Sequence, residues 1–225
     1  SLDDDCEIAV IELGTDNFGD ISLTSAIVRP DISMITNIGD SHLHNLKSKS
    51  GILKAKLEIL EGMNDQGTFI YNIDDPTMKE EVPTYDIKQK VLSFGTDSEA
   101  DFNIKFEESP SSKLRFSNGK DHYEIPLIGK HNVYNAAAVV MIAQIFGLDK
   151  ESIDKGLMKA KSSQNRSELL ELDGFDVLDD SYKSNPQALL AGLETVYELF
   201  GYKQKIICLS DMLELGEDCL LYTSD

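Results

Sequence analysis

The sequence predicts an α/β protein in which helices cover a mostly parallel β-sheet, with a small antiparallel β-region and the start of a second α/β unit. Over the first hundred residues, short β-branched runs alternate with helical stretches, which is typical of a parallel sheet. After residue 100, short alternating segments are separated by turn residues, which favours antiparallel pairing. A strand-and-helix pattern then begins again after residue 165.

The predicted parallel sheet has four strands, and polar side chains follow the ends of three of them. The strands are Glu7–Glu12, Ile32–Ile38, Thr68–Asn72 and Val91–Phe94, with helices at Ile21–Val28 and Gly51–Met63. The polar side chains are Glu12, His42, Asn72 and Asp74. Ligands of parallel sheets bind beyond the carboxyl ends of the strands, so these positions predict a binding site.

The rest of the chain is divided by a predicted linker at Lys161–Asn165, which gives domains at residues 1–163 and 164–225. Before the linker we expect three antiparallel strands, at Phe102–Phe106, Lys113–Phe116 and His122–Ile125. An apolar, buried helix at Asn135–Phe146, with Asn132 as a possible N-cap, and a polar helix at Asp149–Ala160 follow them. After the linker we expect strands at Glu168–Leu172, Phe175–Asp179 and Lys205–Leu209, and a helix at Gln187–Phe200.

Charge and cysteine content exclude several classes of function. The 225 residues carry 21 Lys and Arg against 40 Asp and Glu, a net charge of −19, which argues against nucleic acid or an anionic membrane as a partner. An anionic nucleotide held by a few local groups stays possible. The three cysteines, Cys6, Cys208 and Cys219, have neither metal-ligand spacing nor a disulfide pattern, which indicates a reducing, cytoplasmic compartment.

Lys56 stands out because it falls in the middle of the apolar face of its helix. That face is formed by Ile52, Leu53, Ala55, Ile59, Leu60 and Met63. A buried ammonium is costly unless it is paired or chemically changed. One alternative is that Lys56 extends its apolar stem and reaches solvent. The other is that the amine has taken up carbon dioxide and, as a carbamate, supplies an oxygen ligand beside a metal.

Glu12, His42 and Lys56 would together suit a divalent cation above the sheet, and oxygen ligands favour magnesium. The alternatives are that Glu12 is a strand-end carboxylate that caps a turn and that His42 is a surface histidine.

A second set of groups could read a purine edge through paired donors and acceptors: Asn72, Asp74, His131, Asn132 and Asn135. These same residue types also form ordinary turns and caps. Arg166 in the linker could reach a phosphate, and Asp180, Tyr182 and Asn185 could face the same cleft; each could equally be a surface residue.

At these residues the sequence resembles the Mur ligase family, in particular the branch that adds D-alanyl-D-alanine to UDP-N-acetylmuramoyl-tripeptide. The matching stretches occur in family order from about Glu7 to Glu217: IELGTDNFGDI, PDISMITNIGDSHL, GILKAKLEI, NIDDP, GKHNVYNAAA, NRSELLE, DDSYKSNP and SDMLELG. The resemblance implies the central ATP-binding domain of the family, followed by the start of its Rossmann-like C-terminal domain.

The resemblance also implies a reaction and a set of roles. ATP would phosphorylate the substrate carboxylate, and the amine of D-alanyl-D-alanine would attack the acyl phosphate. Glu12 would bind the Mg²⁺ that bridges the ATP phosphates, and His42 and carbamylated Lys56 would hold a second Mg²⁺ near the acyl phosphate. The adenine pocket would contain Asn72, Asn132 and Asn135, and Arg166 and Asp180 would contact ATP at the hinge.

The sequence also departs from the family pattern. The family's central domain opens with a Gly-rich phosphate loop ending in Gly-Lys-Thr or Gly-Lys-Ser, and this sequence contains none. Asn165, Lys183 and Ser210 replace the usual Gly, Asn and Gly, and Cys219–Asp225 resembles nothing in the family. We therefore expect a catalytically inactive fragment of a ligase. The alternatives are another Mur ligase, a folylpolyglutamate synthetase-like ligase, or a non-catalytic nucleotide-binding protein, which the missing loop favours.

Overall fold

A computed structural model describes residues 5–39, 43–109, 113–182, 185–210 and 212. Its helices are α1 (Asp20–Val28), α2 (Leu43–Leu46), α3 (Lys49–Leu57), α4 (Pro76–Glu81), α5 (His131–Ile145), α6 (Lys150–Leu157) and α7 (Pro186–Glu198), with 3-10 turns at Glu58–Gly62 and Val82–Thr84. Its strands are β1 (Ile32–Ile35), β2 (Thr68–Asn72), β3 (Lys90–Gly95), β4 (Phe102–Asn103), β5 (Lys105–Glu107), β6 (Leu114–Asn118), β7 (Asp121–Ile125), β8 (Glu168–Leu172) and β9 (Phe175–Asp179).

The predicted parallel sheet is confirmed, with four strands in the order β1-β2-β3-β4. Three of them are predicted strands of this sheet, and the fourth is β4 in place of Glu7–Glu12. Successive side chains of β2 point to opposite faces, and both faces are covered. Phe69 and Tyr71 pack with the α3 and α4 side of the core, whereas Ile70 packs with the α5 side. Phe69 and Ile70 are both fully buried, and each contributes roughly 2–3 kcal/mol to folding.

The small antiparallel region is also confirmed, as a sheet of β5, β6 and β7. The predicted strand Phe102–Phe106 divides between the two sheets. Its first two residues form β4 beside β3, and β5 begins at Lys105 in the antiparallel sheet. Ile104 lies between them and is buried in the core shared with α5. A single extended segment therefore joins the two sheets.

Two predicted strands are wrong. No strand forms at Glu7–Glu12 or at Lys205–Leu209, and the apolar side chains there face solvent: Val10 is 95% exposed and Ile206 is 77% exposed. A strand needs a neighbour that accepts its backbone hydrogen bonds, and among the described residues neither segment has one. The predicted strand Ile32–Ile38 is shorter than expected and ends at Ile35.

Three helix predictions also change. The Lys56 helix ends at Leu57 and continues as the 3-10 turn Glu58–Gly62, so it is shorter than Gly51–Met63. The helix predicted at Asn135 begins at His131, and it is not buried all round, because Val139 is 56% exposed. α6 begins at Lys150 and ends at Leu157, with Asp149 as its N-cap. Among the described helices, none has the length and apolar character needed to cross a membrane.

The residues after the predicted linker form a hairpin and a helix. β8 and β9 pair antiparallel over the predicted residues, and Gly174 adopts a φ of 88° in the turn between them. α7 begins at Pro186, one residue before the predicted Gln187, because the Asn185 side chain accepts a hydrogen bond from Ala188 N and Pro186 suits the first turn. It ends at Glu198, before the predicted Phe200. The stretch SDMLELG lies outside the described residues except for Ser210 and Met212, and the tail Cys219–Asp225 lies outside them entirely.

Candidate active site

Lys56 reaches the carboxyl edge of the parallel sheet. It lies in the last turn of α3 between the buried Ala55 and Leu57, and it is itself half-buried. Its Nζ donates a hydrogen bond to Asn37 O at 2.8 Å, just beyond the end of β1. Burial lowers the pKa of Lys56, and the nearby Asp75 carboxylate partly opposes that shift. The lowered pKa reduces the free-energy cost of removing a proton from this amine, and its role as a metal ligand stays a prediction.

The other two predicted metal ligands do not join Lys56 in the described structure. Glu12 is exposed, in the segment that does not form a strand, and His42 lies outside the described residues. Nor do the described residues contain any group of three His, Cys, Asp or Glu side chains placed to hold a metal ion. An ammonium that donates to a carbonyl is not a ligand. The described residues therefore do not by themselves form a magnesium site, and the assignment of Glu12, His42 and carbamylated Lys56 to magnesium stays a prediction.

Asp75 is a residue of this edge that sequence reasoning missed. Its Oδ2 accepts a hydrogen bond from Ile38 N at 2.7 Å, and its Oδ1 accepts one from Met78 N at 3.0 Å as the N-cap of α4. It thereby ties the segment after β1, next to Lys56, to the start of α4. The signal was present as an Asp directly before Pro76, which is typical of a helix start.

Asn72 and Asp74, at the end of β2, are both engaged within the chain. Asn72 is 9% exposed; its Nδ2 donates to Thr36 O at 3.1 Å, and its Oδ1 accepts from Asp74 N at 3.0 Å. The Asp74 carboxylate accepts hydrogen bonds from Thr96, Asp97 and Tyr134. Burial raises the pKa of Asp74, but these donors outweigh it and hold the pKa below its usual value. A nucleotide contact by either residue stays a prediction.

The first turn of α5 lies beside this strand end. The Tyr134 hydroxyl donates to Asp74 Oδ2 at 2.8 Å. On the same turn Asn135 Nδ2 donates to Asn132 Oδ1 at 3.2 Å, and Asn132 Nδ2 donates to Ile128 O at 2.7 Å. The two asparagines predicted to read adenine are therefore one turn apart and in contact, and the helix carrying them is joined to the end of β2.

The prediction that Asn132 caps α5 is wrong, because the helix begins one residue earlier with Lys130 at the N-cap position. Gly129 permits this early start with a φ of 84°, which only glycine adopts at little cost. A Cβ at Gly129 would lie 2.6 Å from His131 Cε1 and 3.0 Å from Thr195 Oγ1. The backbone of Gly129 is thus packed between the start of α5 and α7.

His131 faces the second predicted domain at this junction. Partial burial lowers the pKa of His131, and the Asp180 carboxylate opposes that shift from the loop after β9. Nearby, Lys130 forms an ion pair with Glu198 of α7. At the other end of α7, Gln187 Oε1 would lie 3.5 Å from a Cβ placed on Gly39. Asp180 and α7 therefore lie at the same edge as β1 and the start of α5.

Arg166 contacts the loop after β9, which contains Asp180 and Tyr182. Its guanidinium lies over the Tyr182 ring, 4.4 Å from the centroid, and its side chain is otherwise exposed. The neighbouring Asn165 donates through Nδ2 to Asp179 Oδ2 at 3.1 Å, and Ser167 N donates to Asp180 Oδ1 at 2.9 Å. Both neighbours of Arg166 adopt left-handed backbone, with φ of 62° at Asn165 and 46° at Ser167. The contacts of Arg166 and Asp180 with ATP stay predictions.

The left-handed φ of Asn165 gives a physical reason why a glycine would suit this position. We expect the Asn165→Ala variant to be less stable than Asn165→Gly by about 1 kcal/mol, because a Cβ costs free energy at positive φ. Both variants lose the amide hydrogen bonds to Asp179 and Ser181, so their difference isolates the backbone term. Urea unfolding of the two variants measures it. Equal urea midpoints with equal slopes for the two variants would contradict the explanation that a Cβ at residue 165 costs free energy.

Comparison with known proteins agrees with this architecture. The family described as Mur ligase middle domain matches residues 1–143. UDP-N-acetylmuramoyl-tripeptide--D-alanyl-D-alanine ligase of Bacillus subtilis is 34% identical over 218 residues, which cover 96% of this chain and 47% of that protein. A crystal structure of MurF from Acinetobacter baumannii has a TM-score of 0.79 at 31% identity, over 88% of this chain and 44% of that chain.

A MurF ligase from Thermotoga maritima, solved in complex with ADP, has a TM-score of 0.70 over 82% of this chain and 43% of that chain. At 23% identity it shows a shared fold alone. The chain spans about half the length of the curated relatives it matches. Since the family match covers 143 of the 225 residues, the chain belongs to the Mur ligase family.

Proposed function

We propose that this chain is part of an ATP-dependent amide ligase that adds D-alanyl-D-alanine to UDP-N-acetylmuramoyl-tripeptide in peptidoglycan precursor synthesis. The main support is the Bacillus subtilis relative of that name, which aligns with 96% of this chain. Because the alignment covers only 47% of that relative, the proposal concerns a complete protein, with the described domain as its nucleotide-binding part. The cytoplasmic location stays a prediction that follows from this function.

The proposed reaction has two steps. The terminal carboxylate of the tripeptide attacks the γ-phosphorus of ATP, which forms an acyl phosphate and releases ADP. The amine of D-alanyl-D-alanine then attacks the acyl carbon. The resulting tetrahedral intermediate loses phosphate and a proton to give the amide. The protein contributes mainly by positioning the reactants and stabilising charge as it develops.

The proposed nucleotide site lies at the carboxyl edge of the parallel sheet. Support comes from the amides at the end of β2 and the start of α5, which lie on elements joined by the Tyr134–Asp74 hydrogen bond. We assign adenine contacts to Asn72, Asn132 and Asn135. His131, Arg166 and Asp180 would approach the nucleotide from the junction with the second domain. The bound ADP of the Thermotoga maritima relative is consistent with a nucleotide site on this fold.

A metal site is a further part of the proposal. In the complete enzyme Glu12 would bind one Mg²⁺ at the ATP phosphates, and His42 and carbamylated Lys56 would hold a second Mg²⁺ near the acyl phosphate. Both metals would neutralise negative charge on the reacting groups. Lys56 supports this part, because its amine lies at the sheet edge and has a lowered pKa. Deprotonation is required before an amine can take up carbon dioxide.

The function is tested with the complete protein. We expect release of ADP and phosphate only when both UDP-N-acetylmuramoyl-tripeptide and D-alanyl-D-alanine are supplied with ATP and magnesium. Folate with glutamate, and single amino acids in place of D-alanyl-D-alanine, serve as matched alternative substrates. Turnover with folate and glutamate would favour a folylpolyglutamate synthetase-like ligase. No ATP consumption with any substrate would favour the non-catalytic alternative.

A further inference from the structure

The Asp74 carboxylate joins three separate parts of the chain. It follows β2, and it accepts hydrogen bonds from the turn after β3 and from α5. Thr96 donates to Oδ2 through its backbone N at 2.7 Å and its hydroxyl at 2.8 Å, and Asp97 N donates to Oδ1 at 3.0 Å. Tyr134 contributes the fourth donor, at 2.8 Å to Oδ2. A carboxylate that accepts four hydrogen bonds from its own chain has little capacity left for a ligand.

The surroundings of Asp74 are arranged for this role. A Cβ at Gly95 would lie 2.7 Å from Asp74 Oδ1 and 2.9 Å from Ile73 Cγ2, so the close approach of β3 depends on the glycine. Asn103 Nδ2 donates to Asp97 O at 2.7 Å and Thr96 O at 3.2 Å, which fixes the turn that supplies three of the donors. Contacts with Gly95 and with the turn after β3 therefore fix the position of the carboxylate independently of α5.

Tyr134 joins α5 to the Asp74 carboxylate. Its ring packs edge-on against Phe106 of β5, with centroids 5.8 Å apart, and its hydroxyl bonds Asp74. Burial, together with the hydrogen bond and charge of Asp74, raises the pKa of Tyr134 to about 12, so the hydroxyl keeps its proton as a donor at physiological pH. Tyr134 lies between Asn132 and Asn135 on the first turn, so its hydrogen bond fixes the turn that carries both amides.

We propose that Tyr134 and Asp74 are positioning residues for the adenine site, which hold Asn132 and Asn135 against the carboxyl end of β2. Asp74 then acts through Tyr134 and does not itself touch the nucleotide. The inference rests on the proposed function only for the identity of the ligand. The positioning of the α5 first turn can be measured without any nucleotide.

The chain contains a matched control for the loss of a tyrosine hydroxyl. Tyr123 is buried and stacks on Phe116, and its hydroxyl accepts a hydrogen bond from Gln144 Nε2 at 3.1 Å near the other end of α5. Tyr134→Phe and Tyr123→Phe therefore remove the same atom and one anchor of the same helix. Only the first lies beside the proposed adenine site. A purely structural role predicts similar effects from both variants.

The test measures ATP and GTP binding to the purified chain by NMR titration. We expect the wild-type chain to prefer ATP, and Tyr134→Phe to reduce the ATP-to-GTP preference about fivefold or more, because misplaced amides no longer match the adenine edge. Tyr123→Phe should leave the preference unchanged, whatever it does to stability. An unchanged preference in Tyr134→Phe, or an equal loss in both variants, would overturn the proposal.

Hydrogen exchange separates this inference from the proposed function. The backbone N–H groups of Asn132 and Val133 bond Gly129 O and Lys130 O at the start of α5. We expect them to exchange about tenfold faster in Tyr134→Phe than in wild type, and at the wild-type rate in Tyr123→Phe. If the wild-type chain does not distinguish ATP from GTP, the adenine assignment fails, and the exchange rates alone decide the positioning. Equal exchange in all three proteins would then overturn it.

Discussion

Replacing Lys56 by Ala should abolish turnover in the complete ligase, and bicarbonate or a short carboxylic acid should partly restore it. The amine lies at the carboxyl edge of the sheet, bonded to Asn37 O, and burial lowers its pKa. If the amine forms a carbamate that binds Mg²⁺, its removal deletes a metal ligand. Loss of groups that merely support metal ligands costs about 10–100-fold, so the loss here should exceed about 100-fold. A diffusible carboxylate could occupy the vacated space.

Lys54 provides the matched control, because it lies on the same helix but is exposed, with its Nζ 5.9 Å from the centroid of the Phe18 ring. Lys54→Ala should retain nearly full activity and should not respond to added carboxylate. The measurement is the steady-state rate of phosphate release with all substrates present. Full activity of Lys56→Ala without any additive would exclude the carbamate. A loss that no small acid restores would leave Lys56 as a charge contact and not a metal ligand.

The parallel sheet was predictable because helices cover both of its faces, so its strands are short, apolar, β-branched runs that can be recognised in the sequence. This local signal has a limit, which Glu7–Glu12 illustrates. Its β-branched run looks as strand-like as Ile32–Ile35, yet only the second segment pairs. Periodicity reports the preference of a segment, whereas a strand also requires a neighbour distant in the chain. The same limit explains Lys205–Leu209, where apolar residues without a partner remain exposed.

The position of Asn72 and Asp74 at the end of a strand was predictable, but their contacts within the chain were not. The ends of the predicted strands indicate the carboxyl edge of the sheet, whereas a role of these residues in binding stays a prediction. Spacing could not show that Asp74 accepts hydrogen bonds from the turn after β3 and from α5, because those residues are 22 to 60 positions away. Tyr134 was overlooked for the same reason. A tyrosine in an apolar helix is a common core residue, and only the structure shows that its hydroxyl donates a hydrogen bond to Asp74.

The purified chain should bind ATP only weakly and should not turn over substrates. Nucleotide phosphates are normally held by backbone N–H groups and a lysine of a phosphate loop, and this sequence contains no such loop. The chain also carries a net charge of −19, which repels a polyanion. Adenine contacts alone then provide the affinity. We expect a Kd in the millimolar range, or about −4 kcal/mol at best.

The comparison of ATP with adenosine tests this expectation sharply. If the phosphates contribute little, adenosine should bind within about threefold of ATP, and raising the salt from about 0.05 to 0.5 M should tighten ATP binding by screening the repulsion. Adenosine, being neutral, should not respond to salt. Both ligands are titrated into the chain with magnesium, and phosphate release is assayed with D-alanyl-D-alanine and UDP-N-acetylmuramoyl-tripeptide present. Micromolar ATP binding, an ATP affinity that salt weakens, or formation of product would show that groups within this chain hold the phosphates without the loop.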